Sequence, residues 1–255
     1  MSDDVIVSAP GDRTLVITIN RPRARNAVDA SVARAIGEAL DRLDGDDELT
    51  AGVITGAGGM FCAGMDLKAF VRGELPVVPG RGFAGIAERA AAKPVIAAVE
   101  GYALAGGFEI VLACDLVVAA RGAVFGLPEV RRGLVAGGGG LLRLPRRIPY
   151  HIAMELSLLG DNVTAPRLHE LGLINRLVDD GSALTEALGL AKAIAANGPL
   201  AVVASKRIVV ESQDWLATEA FARQAAITGP VMESQDAREG SVAFAEKRAP
   251  VWSGR

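Results

Sequence analysis

Through the first 180 residues, short runs of aliphatic and β-branched side chains alternate with stretches whose apolar positions recur every three or four residues. Thr14-Leu15-Val16-Ile17-Thr18-Ile19 reads as a strand closed by Asn20-Arg21-Pro22. Val28, Val32, Ile36, Leu40 and Leu43 then follow one face of an amphipathic helix predicted over 27–43. Asp44-Gly45-Asp46-Asp47 ends it, and a buried strand is predicted over 52–55. A second helical pattern begins near Asp66 and fades at Arg72-Gly73-Glu74. Residues 73–85 hold two prolines and four glycines, which predicts a mobile loop. Val95–Val99 reads as a strand after Pro94, and Gly101 to Gly107 as a bend into a helix over 108–113. Further strands are expected over 116–119 and 174–178, with a glycine turn at 137–140 and a helix over 148–159 between them. From Ser182 onward the pattern is helical, with breaks expected at Gly198-Pro199 and Gly229-Pro230. The fold class expected is α/β to about residue 180, followed by an α-helical C-terminal part.

Composition narrows the function classes. The chain has 255 residues, half of them hydrophobic, enough for a sizeable core. Its 30 glycines exceed the usual ~7%, so many backbone positions need unusual torsions or close approach. A net charge of −3 gives no broad attraction to nucleic acid or anionic membrane, so neither is an expected partner. An anionic ligand would need local cations or helix N-termini. Cys62 and Cys114 lack CxxC spacing and read as small buried hydrophobes, with no disulfide framework and no metal site. His151 and His169 lie far in sequence from the candidate chemistry and read as surface or capping residues. The N-terminus lacks the basic and apolar regions of a signal peptide, and no apolar run reaches the ~18 residues of a membrane span. A soluble, cytoplasmic protein is the expectation. No GxSxG elbow or Walker loop occurs, and Gly101–Gly107 does not spell GxGxxG.

The candidate chemistry rests on Glu109 and Glu129, twenty residues apart. One closes Ala105-Gly106-Gly107-Phe108-Glu109, the other Phe125-Gly126-Leu127-Pro128-Glu129. Carboxylates on rigid turns can divide acid and base work when their environments separate their pKa values. The glycines before Glu109 leave bare N–H groups able to hold a developing oxyanion.

The segment from Ile96 through Gly101-Tyr102-Ala103-Leu104-Ala105-Gly106-Gly107-Phe108-Glu109 to Cys114-Asp115 resembles the signature of the crotonase (enoyl-CoA hydratase/isomerase) superfamily. Phe61-Cys62-Ala63-Gly64-Met65-Asp66-Leu67-Lys68 resembles its CoA-binding turn, Asn20-Arg21-Pro22 with Asn26-Ala27 its opening, and Ala243-Phe244-Ala245-Glu246-Lys247-Arg248 its closing helix. The four motifs stand in family order over nearly the whole chain. The resemblance implies a crotonase-like spiral of ββα units over residues 1–195, and a C-terminal α-helical region over 196–255 that builds homotrimers or dimers of trimers. It implies reversible addition of water to a 2-enoyl-CoA thioester, a reaction of fatty-acid metabolism that needs no cofactor beyond the CoA of the substrate. By the same resemblance the backbone N–H groups of Met65 and Gly106 hold the thioester oxygen. Glu109 activates water, Glu129 exchanges the Cα proton, and the Gly137 amide aligns the water. Arg23, Ala63, Met65, Asp66, Leu67, Lys68 and Gly106 are the implied CoA and substrate contacts. Arg25 is a weaker candidate, and Lys247 and Phe244 would help close the site.

After Glu129 the chain departs from the common hydratase wording. Gly133-Leu134-Val135-Ala136-Gly137 and Gly140-Leu141-Leu142-Arg143-Leu144-Pro145 are nearer to the branch of carnitinyl-CoA dehydratases and several actinobacterial enoyl-CoA hydratase paralogues. An enoyl-CoA isomerase can run on the second glutamate alone, so retention of Glu109 favours hydration. A non-catalytic acyl-CoA-binding paralogue would be expected to lose a catalytic glutamate while keeping the CoA turn, and both glutamates are present. The acyl group is not readable, although the 73–85 segment is expected to border its pocket.

Overall fold

A computed structural model describes residues 4–255. Strands β1 (Val5–Gly11) and β2 (Thr14–Ile19) form an antiparallel hairpin whose turn residues Asp12 and Arg13 both have positive φ. Helix α1 (Ala30–Gly45) crosses to β3 (Ala51–Gly56), which lies parallel to β2. Asp29 caps α1 by accepting the Val32 N–H at 3.0 Å, which starts the helix three residues later than its apolar period suggests. Helix α2 (Leu67–Val71) and a small hairpin, β4 (Val77–Val78) with β5 (Gly82–Phe83), lead to β6 (Val95–Val99). Then come β7 (Tyr102–Leu104), α3 (Gly106–Ala113), β8 (Leu116–Ala120) and β9 (Val124–Gly126). Helices α4 (Gly140–Arg143) and α5 (Tyr150–Leu159), strand β10 (Asn162–Thr164), helix α6 (Ala165–Glu170) and β11 (Arg176–Val178) complete the α/β part. Four helices follow: α7 (Ala183–Ala195), α8 (Pro199–Glu211), α9 (Ala220–Met232) and α10 (Gln235–Glu246).

The main sheet has the order β1-β2-β3-β6-β8-β11, so from β2 onward each new parallel strand is added on the same side. After each of β3, β6 and β8 the chain drops into a second layer. Cys62 bridges Ala103, β7 pairs with β9, and β10 closes that layer. This repeated step is the ββα spiral. Side chains alternate by face as strand geometry requires. Leu15, Ile17, Ile54, Ala97, Val99, Val117 and Ala119 enter the core between the layers. Val16, Val53, Ile96, Ala98 and Val118 face outward onto Ala183, Ala187 and Ala191 of α7. Both faces are therefore buried, which explains the continuous apolar wording of these strands. The Glu100 carboxylate accepts the N–H groups of Gly181 and Ala183 at 3.1 and 3.0 Å, capping α7 from the sheet.

Several elements differ from the sequence pattern. The edge strand β1 carries Pro10 and is largely exposed on both faces, so it has little apolar alternation to read. Residues 73–85, expected to be a mobile loop, carry the short β4–β5 hairpin, and their second half packs on α1. Arg81 is buried and ion-paired with Asp41, and Ala84 and Ile86 are buried. Gly198-Pro199 does start a new helix, with Pro199 in its first turn. Gly229-Pro230 does not break α9. Pro230 falls in the last turn, where the helix has little left to lose. No single helix among the described residues is long and apolar enough to cross a membrane.

Candidate active site

The candidate site is assembled from the turns that follow successive main-sheet strands. After β3, residues 61–64 run beside the 100–104 segment. Phe61 N–H donates to Glu100 O, Cys62 N–H to Tyr102 O and Leu104 N–H to Cys62 O, at 2.8, 2.9 and 3.0 Å. This pairing sets Gly64 (φ +99°) so close to the next turn that a Cβ on it would fall 3.0 Å from the Gly106 nitrogen. Met65 and Gly106 are thereby neighbours. Among the described residues, neither of their N–H groups donates to a backbone carbonyl in a turn or loop, and the Gly106 amide opens α3, where no intrahelical acceptor exists. Ala105 just before it has φ 51° and ψ −128°, a strained conformation for a residue with a Cβ. Its N–H donates to Gly126 O at 2.9 Å and its carbonyl accepts the N–H groups of Phe108 and Glu109, which hold the strain in place.

Glu109 is buried in the first turn of α3, and its Oε1 accepts the Gly140 N–H at 2.9 Å. Burial raises its pKa, offset in part by the amides of Gly140 and Gly138 and by the Arg143 charge. Glu129 lies on a 3-10 turn, Pro128–Arg132, which Pro128 starts and Gly133 (φ +66°) ends. Burial pushes its carboxyl up to about 7, with the Glu109 charge adding to the rise. Its Oε2 is buried with no hydrogen-bond partner among the described residues. Underneath, the rings of Phe108 and Phe125 meet edge-on at 5.4 Å and join the two glutamate-bearing segments. The structure thus brings together Glu109, Glu129, Met65 and Gly106.

The 137–140 turn packs against the first glutamate. Gly137, expected to align water, is exposed, whereas buried Gly138 and Gly140 face Glu109. A Cβ on Gly138 would come within 2.6 Å of Glu109 Oε2. Arg143 reaches back under this turn toward Gly138 O and donates to Ala87 O, tying the turn to the segment behind the β4–β5 hairpin.

The expected CoA-contact residues cluster at one rim. Ala63 N–H donates to Arg25 O at 3.0 Å, and Val28 bridges Met65, so the opening-motif turn lies along the 63–68 turn. Arg23, Arg25, Leu67 and Lys68 are exposed there, and Ala63 and Met65 are half-buried. Asp66 differs: its Oδ1 caps α2 through the Lys68 and Ala69 N–H groups, and its Oδ2 pairs with Arg21 at 3.1 Å, so its carboxylate is committed to the fold. Phe244 is exposed on α10, and Lys247 is exposed just after its end. Sequence reasoning gave Asn26 only as a motif letter. It is fully buried and locks the rim: its Nδ2 donates to Ala57 O and Met60 O at 2.9 and 2.6 Å, and its Oδ1 accepts the Arg21 N–H.

Both cysteines are buried and free, and burial pushes the Cys62 thiol up to about 12. His169 Nδ1 lies 2.8 Å from Ile174 O, and His151 packs edge-on to Tyr150, neither one at the carboxylates. Among the described residues no cluster of three or more His, Cys, Asp or Glu could hold a metal ion.

Residues 12–255 match the sequence profile of the enoyl-CoA hydratase/isomerase family. The chain belongs to this family. Among its relatives, the enoyl-CoA hydratase EchA19 of Mycobacterium tuberculosis is 46% identical over 99% of this chain and 97% of its own length. A carnitinyl-CoA dehydratase of Salmonella typhi is 43% identical over 94% and 95%. The crystal structure of enoyl-CoA hydratase EchA1 from Mycobacterium marinum superposes with a TM-score of 0.97 at 61% identity, covering both chains completely. This enoyl-CoA hydratase/isomerase family member thus has the two-layer spiral of its relatives.

Proposed function

We propose that this protein is an enoyl-CoA hydratase, adding water across the double bond of a 2-enoyl-CoA thioester to give the 3-hydroxyacyl-CoA and catalysing the reverse dehydration. The observation that carries the reading is a pair of buried carboxyls from consecutive turns, one of them with an oxygen partnerless among the described residues and a pKa near neutrality, beside the Met65 and Gly106 amides, which donate to no described turn or loop carbonyl. As water attacks C3, charge passes to the thioester oxygen. The Met65 and Gly106 N–H groups stabilise that charge more than they stabilise the ground state, each worth roughly 2.7–4 kcal/mol by analogy with other oxyanion holes. Glu109, its Oε1 held by Gly140, orients the water and takes its proton. Glu129, able to carry a proton near pH 7, delivers it to C2. The thioester is the electron sink, so no nicotinamide, flavin or metal enters the reaction.

The exposed cations Arg23 and Lys68, with the backbone of Ala63, Met65 and Leu67, form the rim for the CoA nucleotide and pantetheine. Exposed Val209, Phe221, Met232 and Phe244 on α8–α10 support self-association as a homotrimer or dimer of trimers, with Phe244 and Lys247 then available to a neighbouring site. A cytoplasmic place in fatty-acid β-oxidation fits this chemistry. Purified protein given a 2-enoyl-CoA should consume the conjugated thioester absorbance by hydration. Migration of the double bond from a 3-enoyl-CoA without water addition would overturn the proposal. The carnitinyl-CoA dehydratase relatives favour one further substrate in the same assay, carnitinyl-CoA, whose dehydration would use the same two carboxyls in reverse.

A further inference from the structure

The β4–β5 hairpin delivers a single aromatic side chain into the candidate site. A Cβ built on Gly106 would fall 2.3 Å from Phe83 Cζ and 2.6 Å from Cε1. One built on Gly138 would fall 3.1 Å from Phe83 Cδ1 and 2.6 Å from Glu109 Oε2. The ring therefore spans from the Gly106 Cα to the Gly138 Cα, flanking Glu109. Its backbone is unusual. Gly82, Ala84 and Gly85 all have positive φ, 73°, 54° and 70°, and the alanine carries a Cβ there. Such strain persists only where the surroundings over-determine it. They do so here. Buried Arg81 donates to Asp41, Gly85 O and Arg89 O, and Gly85 lies in a notch of α1, where a Cβ would strike Ala33 O at 2.3 Å and the Gly37 nitrogen at 2.7 Å. Phe83 is thus held at its position by anchors remote from the carboxyls.

We infer that Phe83 is the specificity-determining residue of the acyl pocket, a fixed aromatic wall that turns away bulk beyond C3 and favours short straight acyl chains. The inference rests on the hydratase reading for the placement of the substrate. With the thioester oxygen at the Gly106 amide and C3 facing Glu109, carbons 1 to 3 run alongside the ring. The fourth carbon and those after it must pass the ring edge. A pocket wall of this kind discriminates by about 10–200-fold per methylene-sized misfit.

The test compares wild type, Phe83→Ala and Phe83→Leu across straight 2-enoyl-CoA esters of four, eight and twelve carbons. Binding of the saturated esters of the same lengths is measured by calorimetry in parallel. Wild type should favour the four-carbon ester. The twelve-to-four ratio of kcat/KM should rise at least tenfold in Phe83→Ala and by less in Phe83→Leu, with the same order in binding. A ratio unchanged within threefold in folded variants, or a wild type that already favours twelve carbons, would overturn the inference. If Phe83→Ala does not fold, Phe83→Leu decides. If wild type hydrates no ester, the hydratase reading fails, and the calorimetric series alone decides whether the ring sorts acyl length.

Discussion

Replacing Glu129 by glutamine keeps the shape of the side chain and removes its titration, so it separates what the carboxyl does for chemistry from what it costs the fold. Burial raises this carboxyl from 4.5 to about 7 in the native state, while the unfolded chain keeps the ordinary value. Between those two pH values the folded protein holds a proton that the unfolded chain has released. Wild-type stability is therefore highest below the unfolded pKa, falls through this window, and has lost the contribution once pH passes the folded value. The full difference is on the order of 3 kcal/mol at 1.36 kcal/mol per pKa unit. The amide of the Glu129→Gln variant carries no such loss, because the buried position of the partnerless Oε2 no longer has to accept a charge. Urea unfolding at fixed protein concentration should therefore show Glu129→Gln gaining about 2–3 kcal/mol on wild type between pH 5 and pH 8, with unchanged m-values. Turnover should fall by about 10²–10⁴-fold. A stability difference that does not change with pH would refute the buried-acid argument, and unchanged turnover would remove Glu129 from the reaction.

Gly138→Ala places a methyl 2.6 Å from Glu109 Oε2, so kcat should fall while affinity for a saturated acyl-CoA holds within a few-fold, read by steady-state kinetics and calorimetry. Gly106→Ala drives a methyl into the Phe83 ring at 2.3 Å; it should lower the melting temperature, and Phe83→Ala in the same chain should restore most of that loss in a double-mutant cycle. Asn26→Ala leaves Ala57 O, Met60 O and the Arg21 N–H without their partner and should cost about 2–3 kcal/mol in chemical denaturation, with KM for the CoA ester rising as the rim loosens.

Much of this architecture could be read from the chain because its signals are local. The central strands are apolar on both faces, as Val16 and Ile17 or Ile96 and Ala97 illustrate by dividing between the two cores. The sequence motifs also bring together Glu109, Glu129, Met65 and Gly106, since each lies on a turn that its own glycines or proline shape. Harder to see were elements whose meaning is tertiary. Strands β7, β9 and β10 are three residues each, too short for a period to show. The use of the Asp66 carboxylate on α2 and Arg21 was likewise not visible in the motif. Phe83 is the only aromatic between Gly73 and Gly85, a clue in itself, yet its contact with Gly106 depends on Asp41, which holds Arg81, and on the Gly37 notch, both more than forty residues away in sequence. Spacing alone also cannot tell which amides of the four-glycine run engage Glu109; those of Gly138 and Gly140 do.

Helices α8 and α9 contain no fully buried residue, whereas α7 presses three alanines onto the sheet. Deuterium uptake should register that contrast directly. Amides of β2, β3, β6 and β8 will exchange only when the whole molecule opens, while those of α8 and α9, helices with little buried surface to hold them, will exchange through local opening.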